Sequence, residues 1–150
     1  MKNLLYILLA AILVFSVSCS EDDPSEPHEE HFEASGLVLI KSGDRFFRVF
    51  NGEITSDTKV LEVPFEDLTD HYEVMFLDEN GDDLAPPTDE DFALVIIAED
   101  PTITEMFQDE PGEWEFHLRG LAKGTTNIEI KVKHIDHFGF TTPKIPVEVK

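Results

Sequence analysis

Apolar and polar positions alternate along most of the chain beyond residue 35. The alternation is clearest in EWEFHLRG, residues 113–120. There Trp114, Phe116 and Leu118 point one way, and Glu113, Glu115, His117 and Arg119 the other. In TNIEIKVK the residues Ile128, Ile130 and Val132 alternate with Glu129, Lys131 and Lys133. Before them, GLVLIK and RFFRVF are short apolar runs joined by Ser42-Gly43-Asp44, which predicts a hairpin. Further strands are predicted in KVLEVPF, HYEVMFLD, FALVIIAED, TITEMFQ and PKIPVEVK, each bounded by Gly, Pro, Asp or Asn. No segment in this region sustains helical spacing. Many short strands separated by turn signals predict an all-β antiparallel sandwich or barrel. Trp114 is expected to be buried between its sheets.

The first 35 residues follow a different pattern. Lys2 is the only charge before LLYILLAAILVFSV, an apolar run from Leu4 to Val17. A membrane-spanning helix needs about 20 apolar residues. A positive start, a short apolar core and small residues at its end make a secretory signal instead. Ser16, Val17 and Ser18 stand directly before Cys19, the one cysteine of the chain. This resembles the lipobox of bacterial lipoproteins, with Ser16 where the usual leucine stands. The resemblance implies that Cys19 receives a diacylglycerol and becomes the acylated new amino end. The other reading is an ordinary secretory signal ending near a free thiol. The next residues, to Glu33, are rich in Asp, Glu and Pro and carry no Lys or Arg. Like charges repel and prolines stiffen, so the segment is expected to be a disordered tether. Ser20, Glu21, Asp22 and Asp23 are similar to the export signal of surface lipoproteins of the Bacteroidota. That likeness implies the outer face of the outer membrane, with the periplasmic face as the alternative. The expected division is a signal over 1–18, a tether over 19–34 and a β-sandwich over 35–150.

The strands also carry a resemblance. VMFLDENGDDL is similar to the strand, turn and strand of bacterial immunoglobulin-like domains. EFHLRGLAKGTTNIEIKV resembles the strand pair that follows in them, and IPVEV their last strand. The likeness covers about 58–150 and implies an immunoglobulin-like sandwich. The hairpin at 36–50 lies outside it, as an added element.

Charge narrows the function classes. The chain has 32 acidic and 11 basic residues, a net charge of −21. Such a chain repels nucleic acid phosphates. It also avoids anionic headgroups, so membrane contact is expected through the lipid alone. With Cys19 modified there is no disulfide, and the fold must rest on its core. Twelve Phe and one Trp can supply one.

Catalytic patterns are lacking: there is no G-x-S-x-G and no phosphate-cradling glycine loop. Nothing pairs a serine with a histidine at a diagnostic spacing. The expectation is a non-catalytic module that binds a protein or polysaccharide at the cell surface. The alternative is a lipoprotein that takes up a divalent metal, calcium, zinc or copper. His134 and His137 form H-x-x-H around Asp136. Asp78, Asp82, Asp83 and Asp89 lie in DENGDDLAPPTDED. In immunoglobulin order this loop, QDEPGE and HIDHFGF share one end of the sandwich, where crowded carboxylates would favour a cation. Asp78, Asn80 and Asp82 also match the start of an EF-hand loop, but the sixth place holds Asp83 instead of glycine. A turn at Asn80-Gly81 is the better reading. His28 and His31 form a second H-x-x-H inside the tether. His117 is expected to be a surface or cross-strand residue, far from His134.

Overall fold

The computed structural model describes residues 32–150; the expected signal over 1–18, Cys19, the expected export residues Ser20–Asp23 and the H-x-x-H of His28 and His31 lie outside them. The described chain is all-β. Its strands are β1 (Gly36–Lys41), β2 (Asp44–Phe50), β3 (Glu53–Ile54), β4 (Leu61–Val63), β5 (Tyr72–Leu77) and β6 (Asp83–Leu84). They continue with β7 (Phe92–Ala98), β8 (Thr104–Phe107), β9 (Glu115–Gly120), β10 (Gly124–His134), β11 (His137–Thr141) and β12 (Ile145–Val149).

Two sheets face each other. One runs β3-β2-β1-β5-β9-β8, with β6 also on β5; the other joins β11, β10, β12, β4 and β7. The order is that of an immunoglobulin-like sandwich. Strands β5, β9 and β8 stand as B, E and D; β7, β10 and β12 stand as C, F and G. Strand β4 runs parallel to β12, pairing Leu61 with Val147 and Val63 with Val149. The added hairpin β1–β2 lies on the free edge of β5, with Gly36 opposite Leu77 and Ile40 opposite Glu73.

Alternation places the core between the sheets. Phe47, Val49, Val74, Phe76, Phe116 and Leu118 come from one sheet; Leu61, Ile128, Ile130, Ile145 and Val147 come from the other. Phe32 and Ala34 also pack on this core. The Phe32 ring meets Phe76 edge-on, with centroids 4.7 Å apart. Trp114 is half-buried rather than enclosed, its ring edge-on to Phe76 at 5.5 Å. It lies just before β9 and borders a surface groove with Pro86, Glu73 and Glu115.

Strand G is broken. Pro143 has no amide hydrogen, and β11 and β12 pair with successive stretches of β10. Thr142 bridges the gap. Its N–H donates to the Ile130 carbonyl (3.0 Å), and its hydroxyl oxygen accepts the Ile130 N–H (2.9 Å).

Strand β5 is shared unequally. Only Tyr72 and Glu73 pair with β9, opposite Phe116 and Glu115. Phe76 and Leu77 pair with β6 instead. The β8–β9 hairpin therefore turns partway along β5, and its loop lies beside the first half of that strand.

Candidate functional site

That short hairpin brings three chain-distant side chains together. His117 is the outward residue between Phe116 and Leu118 on β9, and Phe107 of β8 is its cross-strand partner. His71 immediately precedes β5. Because Tyr72 pairs with Phe116, His71 falls beside His117, with ring centroids 4.0 Å apart. Asp109 follows β8 by two residues and closes the group. The ligand atoms of His71, Asp109 and His117 all lie within 4.8 Å of one another.

The burial of these groups differs. His117 is only 8% exposed, although it faces away from the core. Phe107 and His71 cover it. His71 and Asp109 are each about half exposed. The expectation of a cross-strand His117 agrees with this placement; a surface position does not.

The hydrogen bonds set the chemistry of His117. Its Nδ1 lies 2.6 Å from the Thr69 carbonyl oxygen. A carbonyl only accepts, so Nδ1 carries the proton and donates. In the neutral ring, Nε2 then carries the lone pair. Thr69 is itself fixed to β9: its N–H donates to the Leu118 carbonyl (2.9 Å), and its hydroxyl oxygen accepts the Leu118 N–H (3.0 Å). Nε2 of His117 faces Oδ2 of Asp109 at 3.7 Å, and Nε2 of His71 faces the same oxygen at 3.5 Å. The other ring nitrogen of His71 lies 3.7 Å from the Glu115 carboxylate.

The residues singled out from the sequence lie elsewhere. His134 and His137 close the β10–β11 hairpin and are register partners, with ring centroids 5.3 Å apart. His134 stacks on Phe92 at 4.2 Å, nearly parallel, and is buried. Asp136 contacts Nδ1 of the neighbouring His137 at 3.4 Å. Among the described residues, no further imidazole or carboxylate joins this pair to make a ligating group of three.

Asp78, Asp83 and Asp89 of the B–C connection are engaged by backbone N–H groups or by an arginine. Asp78 Oδ1 accepts the N–H groups of Asn80 (2.8 Å) and Asp82 (2.9 Å). These bonds, that from the Asp82 N–H foremost, hold the Asp78 carboxyl below its ordinary pKa. Gly81 has φ of 82°, the left-handed conformation that the turn at Asn80-Gly81 requires. Asp83 opens β6 and pairs with Arg45. Asp89 accepts the Asp91 N–H at 3.0 Å. The chain here forms a turn and a short strand.

Sequence reasoning passed over His71 and assigned Asp109 to the loop cluster near His134. The alternating phase did contain a signal. His71 and Glu73 fall on the outer face of one predicted strand, Glu115 and His117 on that of another. What it lacked was the register joining the two strands.

No protein-family model matches the chain, and no curated protein does. Among solved structures, domains 4 and 5 of the S-layer protein SbsC are similar at 18% identity. The match covers 62% of this chain and 48% of that one, with a TM-score of 0.43. SbsC domains 5–6 give 18% identity over 63% and 41%, with a TM-score of 0.44. The chain thus spans less than half the length of these solved chains. The immunoglobulin-like description rests on the strand order and pairings given above.

Proposed function

We propose that this protein is a lipid-anchored binding module of the bacterial outer membrane, displayed on the cell surface and without catalysis of its own. The observation that carries the reading is the placement of the single cysteine. Cys19 stands where an apolar run ends in small residues and an acidic run begins. A lone thiol in an exported protein otherwise needs a partner. Residues 19–31 would serve as the tether, since Phe32 and Ala34 already pack on the core, with Ser20, Glu21, Asp22 and Asp23 directing the protein to the outer face. The sandwich would present its loops to a protein or polysaccharide partner, since loops on a rigid scaffold carry specificity. A net charge of −21 favours contact through the lipid over contact with anionic headgroups.

Cys19→Ser should yield an unprocessed or soluble protein, whereas the native protein should fractionate with membranes. Mass spectrometry of the native amino end should find an acylated Cys19. An unmodified thiol, or a mature end elsewhere, would refute the anchor. Protease added to intact cells should remove the sandwich. Protection that is lost only when the outer membrane is opened would place it on the periplasmic face.

A further inference from the structure

We propose that His71, His117 and Asp109 form a binding site for one borderline transition-metal ion, zinc or copper(II), on the outer face of the β5–β9–β8 sheet. The inference does not depend on the lipid anchor.

The spacing is the first reason. Three acceptor atoms converge: Nε2 of His117, Nε2 of His71 and Oδ2 of Asp109. The two nitrogens stand 3.7 and 3.5 Å from the oxygen. Both separations exceed a hydrogen bond, which for N–H···O runs to about 3.2 Å. They match two ligands of a single ion. With metal–ligand bonds of about 2.0–2.2 Å and tetrahedral angles, neighbouring donors stand about 3.3 Å apart. The three ligand atoms all lie within 4.8 Å of one another, and rotation of the half-exposed His71 and Asp109 side chains would bring them onto one ion.

Preparation of His117 is the second reason. A ligating imidazole characteristically donates its other N–H to a carbonyl or carboxylate, which fixes tautomer and ring direction. The 2.6 Å bond to the Thr69 carbonyl does this for His117. It leaves Nε2, on a side chain nine-tenths buried, aimed at Asp109 with its lone pair. A lone pair facing a carboxylate oxygen is repulsive unless a proton or a metal ion lies between them. The second nitrogen of His71 faces the Glu115 carboxylate at 3.7 Å, beyond a hydrogen bond, so His71 is less firmly oriented than His117.

The donor set selects the metal. Two imidazoles and one carboxylate suit zinc and copper(II); calcium requires a shell of six to eight oxygens. Three protein ligands leave a further position, which water or a donor from a partner would fill. Asp109 and His71 are half exposed, so an ion can enter from solvent.

The test is calorimetric titration of the purified full chain, stripped with chelator, using zinc, copper(II) and calcium chlorides in turn. About one equivalent of zinc or copper should bind in the micromolar range or tighter, with a rise in Tm and no comparable response to calcium. His71→Ala and Asp109→Asn alter exposed side chains, so their folds should persist by circular dichroism. Each should weaken binding about tenfold or more. Replacing His134 and His137 together with alanine should leave the affinity unchanged. The proposal is overturned if zinc and copper give neither heat nor a Tm shift at millimolar concentration, which would leave a proton-bridged ion-pair cluster only. It is also overturned if His71→Ala binds as tightly as the parent, or if affinity is lost only with His134 and His137.

Discussion

Gly120 ends β9 where the chain segment after β4 crosses it. A Cβ added there would run into the Pro64 carbonyl oxygen and come within 2.8 Å of Val149 Cγ1. Neither neighbour can retreat easily. The Glu66 N–H donates to the Gly120 carbonyl (2.9 Å), and the Gly120 N–H donates to the Asp67 carbonyl (3.0 Å). Gly120→Ala should therefore destabilise the fold by about 1–3 kcal/mol, through overpacking against backbone. Urea denaturation would measure it, and parental stability would mean that residues 64–67 can lift away from β9. The same segment continues to Thr69, which orients His117, so this variant should also weaken zinc binding. The role of Gly120 was not legible in the sequence. EWEFHLRG gives the phase of its strand, but not which backbone crosses its end.

At the scale of elements, long alternating segments were readable and short or edge segments were not. EWEFHLRG and TNIEIKVK show one apolar face each, and both form strands in the expected phase. Strands β3 and β6 have two residues each, too few to display a period. Strand β11, HFGFT, has no fully buried residue and forms by pairing with β10. Nor could the sequence show that β5 is divided between β9 and β6. That division decides where Asp109 and Trp114 lie. Because the β8–β9 hairpin stops partway along β5, Asp109 meets His71 rather than the β10–β11 loop. Trp114 is left at the margin of the core. Full burial would make Trp114→Ala cost about 3–5 kcal/mol. Partial burial at the margin of the core, beside Phe76, should cost less, about 2 kcal/mol, because less apolar area is removed from water. Denaturant unfolding of the variant would distinguish the two values, and iodide should partly quench the Trp114 fluorescence.

For the whole molecule, two carboxylate effects oppose each other. Residues 35–150 hold 25 acidic and 10 basic residues, so the compact state is strongly negative at neutral pH and repels itself. Several surface carboxyls nevertheless stabilise the fold in their ionised form. The Asn127 side-chain amide and then Lys144, 2.8 and 2.9 Å away, hold the Glu99 carboxyl below its ordinary pKa. Hydrogen bonds from the Thr102 hydroxyl and N–H do the same for Asp100, and backbone N–H groups do so for Asp78. A carboxyl whose pKa is lower in the folded than in the unfolded chain contributes stability above its unfolded value. That contribution disappears as the pH falls through the folded value. The ordinary values are 3.8 for the two aspartates and 4.5 for Glu99. The loss should therefore begin below about pH 4.5 and deepen below about pH 3.8. Self-repulsion follows a different course, because it fades as the net charge approaches zero near the isoelectric point of 4.3. Salt separates the two, since it screens diffuse repulsion between exposed charges. At pH 7, raising sodium chloride from about 10 mM to about 0.5 M should raise Tm, because the Debye length shrinks from about 30 Å to a few ångströms. Near pH 4.3 the same addition should leave Tm almost unchanged. Below that pH, Tm should fall at both salt concentrations. Chelator-treated protein should be used, so that bound metal does not contribute. A Tm at pH 7 that is indifferent to salt would show that the acidic surface is spaced widely enough for water alone to screen it.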